Sequence, residues 1–328
     1  MDKEARNQIF DISRGLGIFL VVWGHVTSNP ASIYIYSFHM PLFFFLSGIF
    51  HRNEQFTNFL NKKFKRLIIP YLYYSILIYL FYLAWFSVFL EIESFNFKNI
   101  LNIIPFNDTV SSPLWFLISL FEVSLIFFLL ELLFKNDLIL TFLAILLGLI
   151  LVLISKKVEV FVNYFFIASS CSMLMFFSLG HLIARFKSML VTKKQHFIII
   201  IFILFMASFL LLNLHYNNKV DVRSFYFGEV QWVFPPIAIL GIIVTLLGSI
   251  ILGNIPILAK VLSYLGINSL GIFIIHLPLF EFARPMAKLI ITKEETFSYG
   301  LLTAIICLGF AVVANAIILK VVPQTLGK

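Results

Sequence analysis

Ten mostly apolar stretches recur along the chain, at 9–26, 33–50, 67–90, 113–134, 138–154, 160–184, 197–214, 231–252, 263–281 and 300–321. About twenty helical residues cross the roughly 30 Å of a bilayer's hydrocarbon. A helix satisfies its own backbone groups there, where water cannot. These stretches predict an all-α fold, a polytopic integral membrane helical bundle of about ten transmembrane helices. The stretch at 138–154 is the shortest. Composition agrees: 61% of residues are hydrophobic and 12% charged, where a soluble domain carries about a quarter charged residues. Mean hydropathy is +1.00. No low-complexity segment or extramembrane domain interrupts the pattern, so a single transmembrane domain is expected over 1–328.

An even number of spans puts both termini on one side. With both termini cytoplasmic, the inner segments and the inner end of the last span hold 15 Lys and Arg against 4 Asp and Glu, and the outer segments and span ends hold 8 against 9. That bias is the positive-inside pattern, with Lys156 and Lys157 against it. The net charge of +8 therefore reflects topology rather than nucleic-acid binding. Lys3 and Arg6 before an apolar run resemble a signal-peptide start, but polar Thr27-Ser28-Asn29-Pro30 and further spans follow. The run is expected to be an uncleaved first span. Cys171 and Cys307 lie in apolar runs without metal or redox spacing.

The first span carries an acid, a base and an imidazole: Asp11, Arg14 and His25. Charges within a membrane are costly and usually face a bundle interior or a wet cavity. Asp11 and Arg14 are neighbours at three residues. Eleven residues separate Arg14 from His25, close to three whole turns and about 16 Å along the axis. The three thus form one polar stripe. The plainer account is an Asp–Arg pair for orientation and a histidine at the helix end.

Other polar groups in or beside the spans are His39, Glu122, Glu131, His181 and His276. His39-Met-Pro and His276-Leu-Pro echo one another, and each proline could kink its helix. His25, His39 and His276 fall at similar depth and could share a site, or each could be a hydrogen-bonded structural residue. No spacing supports a metal site. Glu122 is expected to face the bundle, Glu131 to snorkel and His181 to be interfacial. The basic run Lys62-Lys63-Phe64-Lys65-Arg66 leads into the third span. It reads as a topology signal, or as a phosphate site for a cytosolic cofactor at the bundle's inner mouth. The outer segments 91–112, 215–230 and 282–299 mix Asp, Glu, Arg and aromatics, including Asp221, Arg223 and Tyr226. Such mixtures suit a hydroxyl-rich ligand and equally suit any wet loop.

Asp11-x-x-Arg14-Gly15 followed by Val21-Val22-Trp23-Gly24-His25 resembles the opening of membrane acyltransferase family 3. Phe38-His39-Met40-Pro41-Leu42-Phe43-Phe44-Phe45-Leu46-Ser47-Gly48 is similar to its branch related to fucose 4-O-acetylases and other surface-polysaccharide O-acetyltransferases. Later echoes are Arg66-Leu67-Ile68-Ile69-Pro70-Tyr71, Pro113-Leu114-Trp115-Phe116-Leu117, Phe176-Phe177-Ser178-Leu179-Gly180 and Leu265-Gly266-Ile267-Asn268-Ser269-Leu270. The resemblance implies ten spans in the plasma membrane and acetyl transfer from cytosolic acetyl-CoA to a sugar hydroxyl of a surface or secreted glycan or its lipid-linked precursor. No metal is expected, nor the extra hydrolase-like domain that some relatives carry.

Under that resemblance His25 takes the general-base role, since an imidazole can remove a hydroxyl proton at neutral pH. Asp11, about 21 Å from His25 along the helix, pairs with Arg14. Arg14 would bind a phosphate or carbonyl of the donor. Lys62, Lys63, Lys65 and Arg66 would hold its nucleotide phosphates, and His39, Glu122 and His276 would contact the acceptor. The competing class is a transporter or flippase for a lipid-linked sugar or small metabolite, which intramembrane charges also fit.

Overall fold

The computed structural model describes residues 3–26, 29–89, 112–157, 165–185, 195–216 and 219–327. Thr27 and Ser28, the acids and amide Glu91, Glu93, Asn107 and Asp108 of the outer segment 91–112, and Lys187, Lys193 and Lys194 among the inner basic residues lie outside them. The described elements are α1 (Lys3–Gly24), α2 (Ser32–Tyr36), α3 (His39–Ile49), α4 (Phe56–Lys63), a π-helical turn (Phe64–Ile68), α5 (Ile69–Phe89), α6 (Trp115–Leu133), α7 (Asp137–Ile154), α8 (Ile167–Arg185), α9 (Gln195–Tyr216), α10 (Phe234–Leu252), α11 (Pro256–Ile267), α12 (Ser269–Lys288) and α13 (Phe297–Val321). A 3-10 turn, Pro323–Leu326, follows. Among the described residues there is no strand, and Asp221 and Tyr226 form an isolated bridge.

Nine of these segments are long and apolar enough to cross a membrane. They match nine of the ten expected spans. The tenth, α1, has the length, 22 residues or about 33 Å, but its polar stripe lowers its hydropathy. The bundle protects α1: Ile12, Ile18, Val21 and Val22 are buried, and so is Ser13, which donates to Ser249 on α10.

Glycines set the spacing around the first hairpin. A Cβ on Gly48 of α3 would lie 1.9 Å from the Phe177 carbonyl oxygen, and one on Gly180 of α8 would lie 2.0 Å from that of Phe45. Gly15 of α1 and Gly266 of α11 face each other the same way, at 2.0 Å from Leu262 O and 1.8 Å from Asp11 O. Small residues let membrane helices approach closely where lipid offers no hydrophobic drive to associate. Two such crossings hold α1 against α11 and α3 against α8.

Two boundaries differ from expectation, and so does one proline. The basic run continues the third span as helix, through α4 and the π turn, instead of forming a loop. Span nine is not 263–281: the chain breaks at Asn268, between α11 and α12, and α12 runs on to Lys288. Asn268 fills the break by donating to Tyr264 O at 2.9 Å and accepting from Asn315 on α13 at 3.3 Å. Pro41 lies in the first turn of α3, where a missing N–H costs little, so of the two echoing prolines Pro278 alone lies inside its helix, together with Pro285 further along.

The 3-10 turn returns to the basic segment. Thr325 Oγ1 is 2.9 Å from Tyr74 Oη on α5, and Gly327, at φ +67°, lies against the Lys65 and Arg66 backbone. The start of α1 and the end of the described chain therefore share one end of the bundle, as an even number of crossings requires.

Candidate functional site

The polar stripe of α1 runs between two cavities. At the end where α1 begins, a cavity of about 630 Å³ is lined by Arg14, Arg52, Lys62, Lys63 and Arg66 against a single carboxylate, Glu54, among the described residues. That volume falls within the range of small-molecule sites. Arg14 donates to Asp11 at 3.0 Å, and its guanidinium sits 4.2 Å over the Phe50 ring. Lys63 donates to Ser124 Oγ at 3.0 Å, and Lys62 pairs with Glu54. Helical geometry makes this cluster: Lys62, Lys63 and Arg66 fall within about one turn. Lys65, in the same run, does not line the cavity.

At the other end of the stripe lies a recess of about 130 Å³. His25, Tyr36, His39, Trp115, Asp221 and Arg223 line it, with Phe273 as a wall. Phe273 also lines the large cavity, so one ring borders both spaces. The His25 and His276 rings are 5.1 Å apart, and Tyr36 lies between His25, at 5.8 Å, and His39, at 5.0 Å. Each imidazole is held alike by its own chain. Nδ1 of His25 faces Val21 O at 2.7 Å, that of His39 faces Ile35 O at 2.8 Å, and that of His276 faces Phe273 O at 2.6 Å. A carbonyl only accepts, so in each case Nδ1 carries the hydrogen and donates it. The neutral ring then leaves Nε2 bare, as a base requires. Among the described residues, no group of three or more His, Cys, Asp or Glu could hold a metal ion.

Of the residues singled out in the sequence, His25 and His39 line the recess, His276 is buried against His25 without lining it, and Arg14, Lys62, Lys63 and Arg66 line the large cavity. Asp11 lines neither space and serves Arg14 as its partner. Glu122 also lines neither. It accepts from Ser170 Oγ at 2.6 Å, which lies 2.7 Å from Ser119 Oγ, in a polar network between α6 and α8. That position does not favour acceptor contact.

A buried chain beside the large cavity escaped the sequence. His51, at the end of α3, lies 3.0 Å from Glu131 through Nε2, and its ring is 5.5 Å from that of His181. His181 is 3.4 Å from Asp137, which also pairs with Arg185. Glu131 and His181 are therefore neither snorkelling nor merely interfacial. They lie 50 residues apart on α6 and α8, and no local spacing links them to His51.

No curated protein and no solved structure matches the chain. The acyltransferase domain of membrane acyltransferase family 3 matches residues 7–321, which takes in both cavities and the whole polar stripe. The chain belongs to that family, and it is a multi-pass membrane acyltransferase.

Proposed function

We propose that this acyltransferase moves an acetyl group from cytosolic acetyl-CoA to a sugar hydroxyl of a surface or secreted polysaccharide, or of its lipid-linked precursor, across the plasma membrane. One observation carries the reading: a basic cavity and an imidazole recess lie at opposite ends of one polar helix and share the wall residue Phe273. A donor made inside and an acceptor found outside need two mouths and one meeting point. Lys62, Lys63 and Arg66 supply cations for nucleotide phosphates, and guanidinium groups such as Arg14 suit phosphate or carbonyl oxygens. His25 Nε2 takes the hydroxyl proton as the oxygen attacks the thioester carbonyl. The carbon–sulfur bond then breaks, and the proton leaves on the thiol of CoA. The basic end faces the cytoplasm in this reading, in keeping with the distribution of Lys and Arg.

The test follows release of CoA from acetyl-CoA by purified protein in nanodiscs, with and without a panel of surface glycans. Wild type releases CoA in a glycan-dependent way. His25→Ala loses at least about 100-fold, the usual worth of a positioned base, while still binding acetyl-CoA. Full activity in His25→Ala removes the base. Folded wild type that neither binds nor consumes acetyl-CoA overturns acetyl-CoA as the donor.

A further inference from the structure

Residues 219–230 are a pinned turn rather than a wet loop. Asp221 and Tyr226 exchange backbone hydrogen bonds of 2.8 and 2.9 Å. Val220, Val222, Phe225 and Phe227 are buried. Phe227 packs on Phe234 of α10, with ring centroids 4.9 Å apart. Ser169 of α8 donates to Val222 O at 2.6 Å. Phe225 is held at φ +55°, a left-handed conformation that is costly for a bulky residue and persists only where surroundings impose it. The apolar side chains fix the turn, and the polar residues between them, Asp221 and Arg223, line the recess beside His25.

The recess limits what can enter. At about 130 Å³ it is well below the roughly 300 Å³ of a site for a drug-sized ligand. It admits the edge of one sugar ring and leaves the rest of a glycan outside. Its walls supply what such an edge needs. The Asp221 carboxylate accepts from Ser224 Oγ at 2.7 Å through Oδ2, and a carboxylate has about four acceptor sites in all. The guanidinium of Arg223 is a donor fork for ring or hydroxyl oxygens. Trp115 offers an apolar wall. Among the described residues the lining carries one acid, Asp221, and one guanidinium, Arg223, and the two balance, so this lining favours neither sign of ligand.

We propose that this turn is the acceptor-recognition element. Asp221 and Arg223 are positioning residues that hold the hydroxyls beside the reacting one on a single uncharged sugar ring. The assignment rests on the acetyl-transfer reading above. It makes vicinal hydroxyls a requirement: Asp221 takes a hydrogen bond from the neighbour of the hydroxyl that faces His25.

The experiment measures kcat and KM for acceptor with purified full-length protein in nanodiscs. The probes are methyl hexopyranosides, methyl 6-deoxyhexopyranosides and their singly deoxygenated analogues, with acetyl-CoA as donor. Wild type disfavours the analogue lacking the neighbouring hydroxyl by about 10-fold or more in kcat/KM, the worth of a hydrogen bond to a charged group. Asp221→Asn raises KM for the parent glycoside by about 10-fold and shrinks the penalty for the deoxy analogue. Its acetyl-CoA affinity stays within about 2-fold, which a collapsed site would not preserve. Arg223→Gln carries the same comparison should Asp221→Asn lose acetyl-CoA binding. Wild-type KM and an undiminished deoxy penalty in both variants overturn the assignment and leave the transfer reading standing. Wild type that binds acetyl-CoA yet acetylates no glycoside overturns both.

Discussion

His25 is oriented by its own helix, not by Asp11. Its Nδ1 reaches back one turn to Val21 O, which fixes the tautomer and frees Nε2. His39, also on the recess, and His276, buried behind His25, use the same device, so all three rings share one proton arrangement. At the basic cavity, Lys63 and Arg66 sit three residues apart on one helical face, both against the space beside Arg14. Under the proposed acetyl-CoA reading, removing either charge would take away a hydrogen bond to a phosphate, worth about 1.5–3 kcal/mol. Lys63→Ala and Arg66→Ala are each expected to raise KM for acetyl-CoA by about 10-fold or more, with a smaller change in kcat, in a steady-state assay of CoA release. Lys65→Ala, which removes a charge that does not line the cavity, is expected to change KM by less than about 3-fold, as befits an exposed cation.

The helices owe their positions to a few close approaches. Gly48 and Gly180 place the α3 and α8 backbones in contact, each Cβ position lying within 2.0 Å of the other helix's carbonyl oxygen. Because backbone, not a flexible side chain, fills that space, a methyl group forces the helices apart. Overpacking of this kind costs on the order of 1–3 kcal/mol or more. Gly48→Ala is expected to lower the melting temperature in detergent and to weaken acetyl-CoA binding, since α3 carries Ser47 and leads directly to His51 at the large cavity. Gly309, with nothing within 4 Å of its Cβ position, is the control: Gly309→Ala is expected to leave melting unchanged or raise it slightly, because alanine favours helix. In the sequence Gly48 and Gly309 are simply glycines in apolar runs, and only their neighbours tell them apart.

For the whole molecule, the two cavities at opposite ends of the α1 stripe predict opposite chemical access. In a protein with Cys171 and Cys307 replaced by serine, a cysteine placed at Lys62 is expected to react with a membrane-impermeant maleimide only in inside-out vesicles. One placed at Ser224, an exposed position beside Asp221, is expected to react only in right-side-out vesicles. Labelling of both from one side would remove the case for donor and acceptor meeting across a bilayer. The helix α1, 22 residues long and packed on α11 through Gly15 and Gly266, spans the distance between the cavities.

Much of this was legible in the chain by itself. Apolar runs near twenty residues determine a polytopic helical bundle, because hydrocarbon permits few other backbones. The spacing of Asp11, Arg14 and His25 determines a polar stripe on one helix, because helical period is local. Lys62, Lys63 and Arg66 could likewise be placed together from sequence. What lay beyond local period required the tertiary structure. Lys65 was left off the cavity, with its backbone against Gly327 of the returning chain end. Glu122 was turned toward Ser170 and away from both cavities. His51, Glu131, His181 and Asp137 were joined into one buried chain from four separate places. Asp221 and Arg223 read as residues of a wet loop until Val220, Val222, Phe225 and Phe227 were seen buried beneath them. Local pattern fixes which residues share a helix face, but only packing between elements distant in sequence decides which of those faces meet.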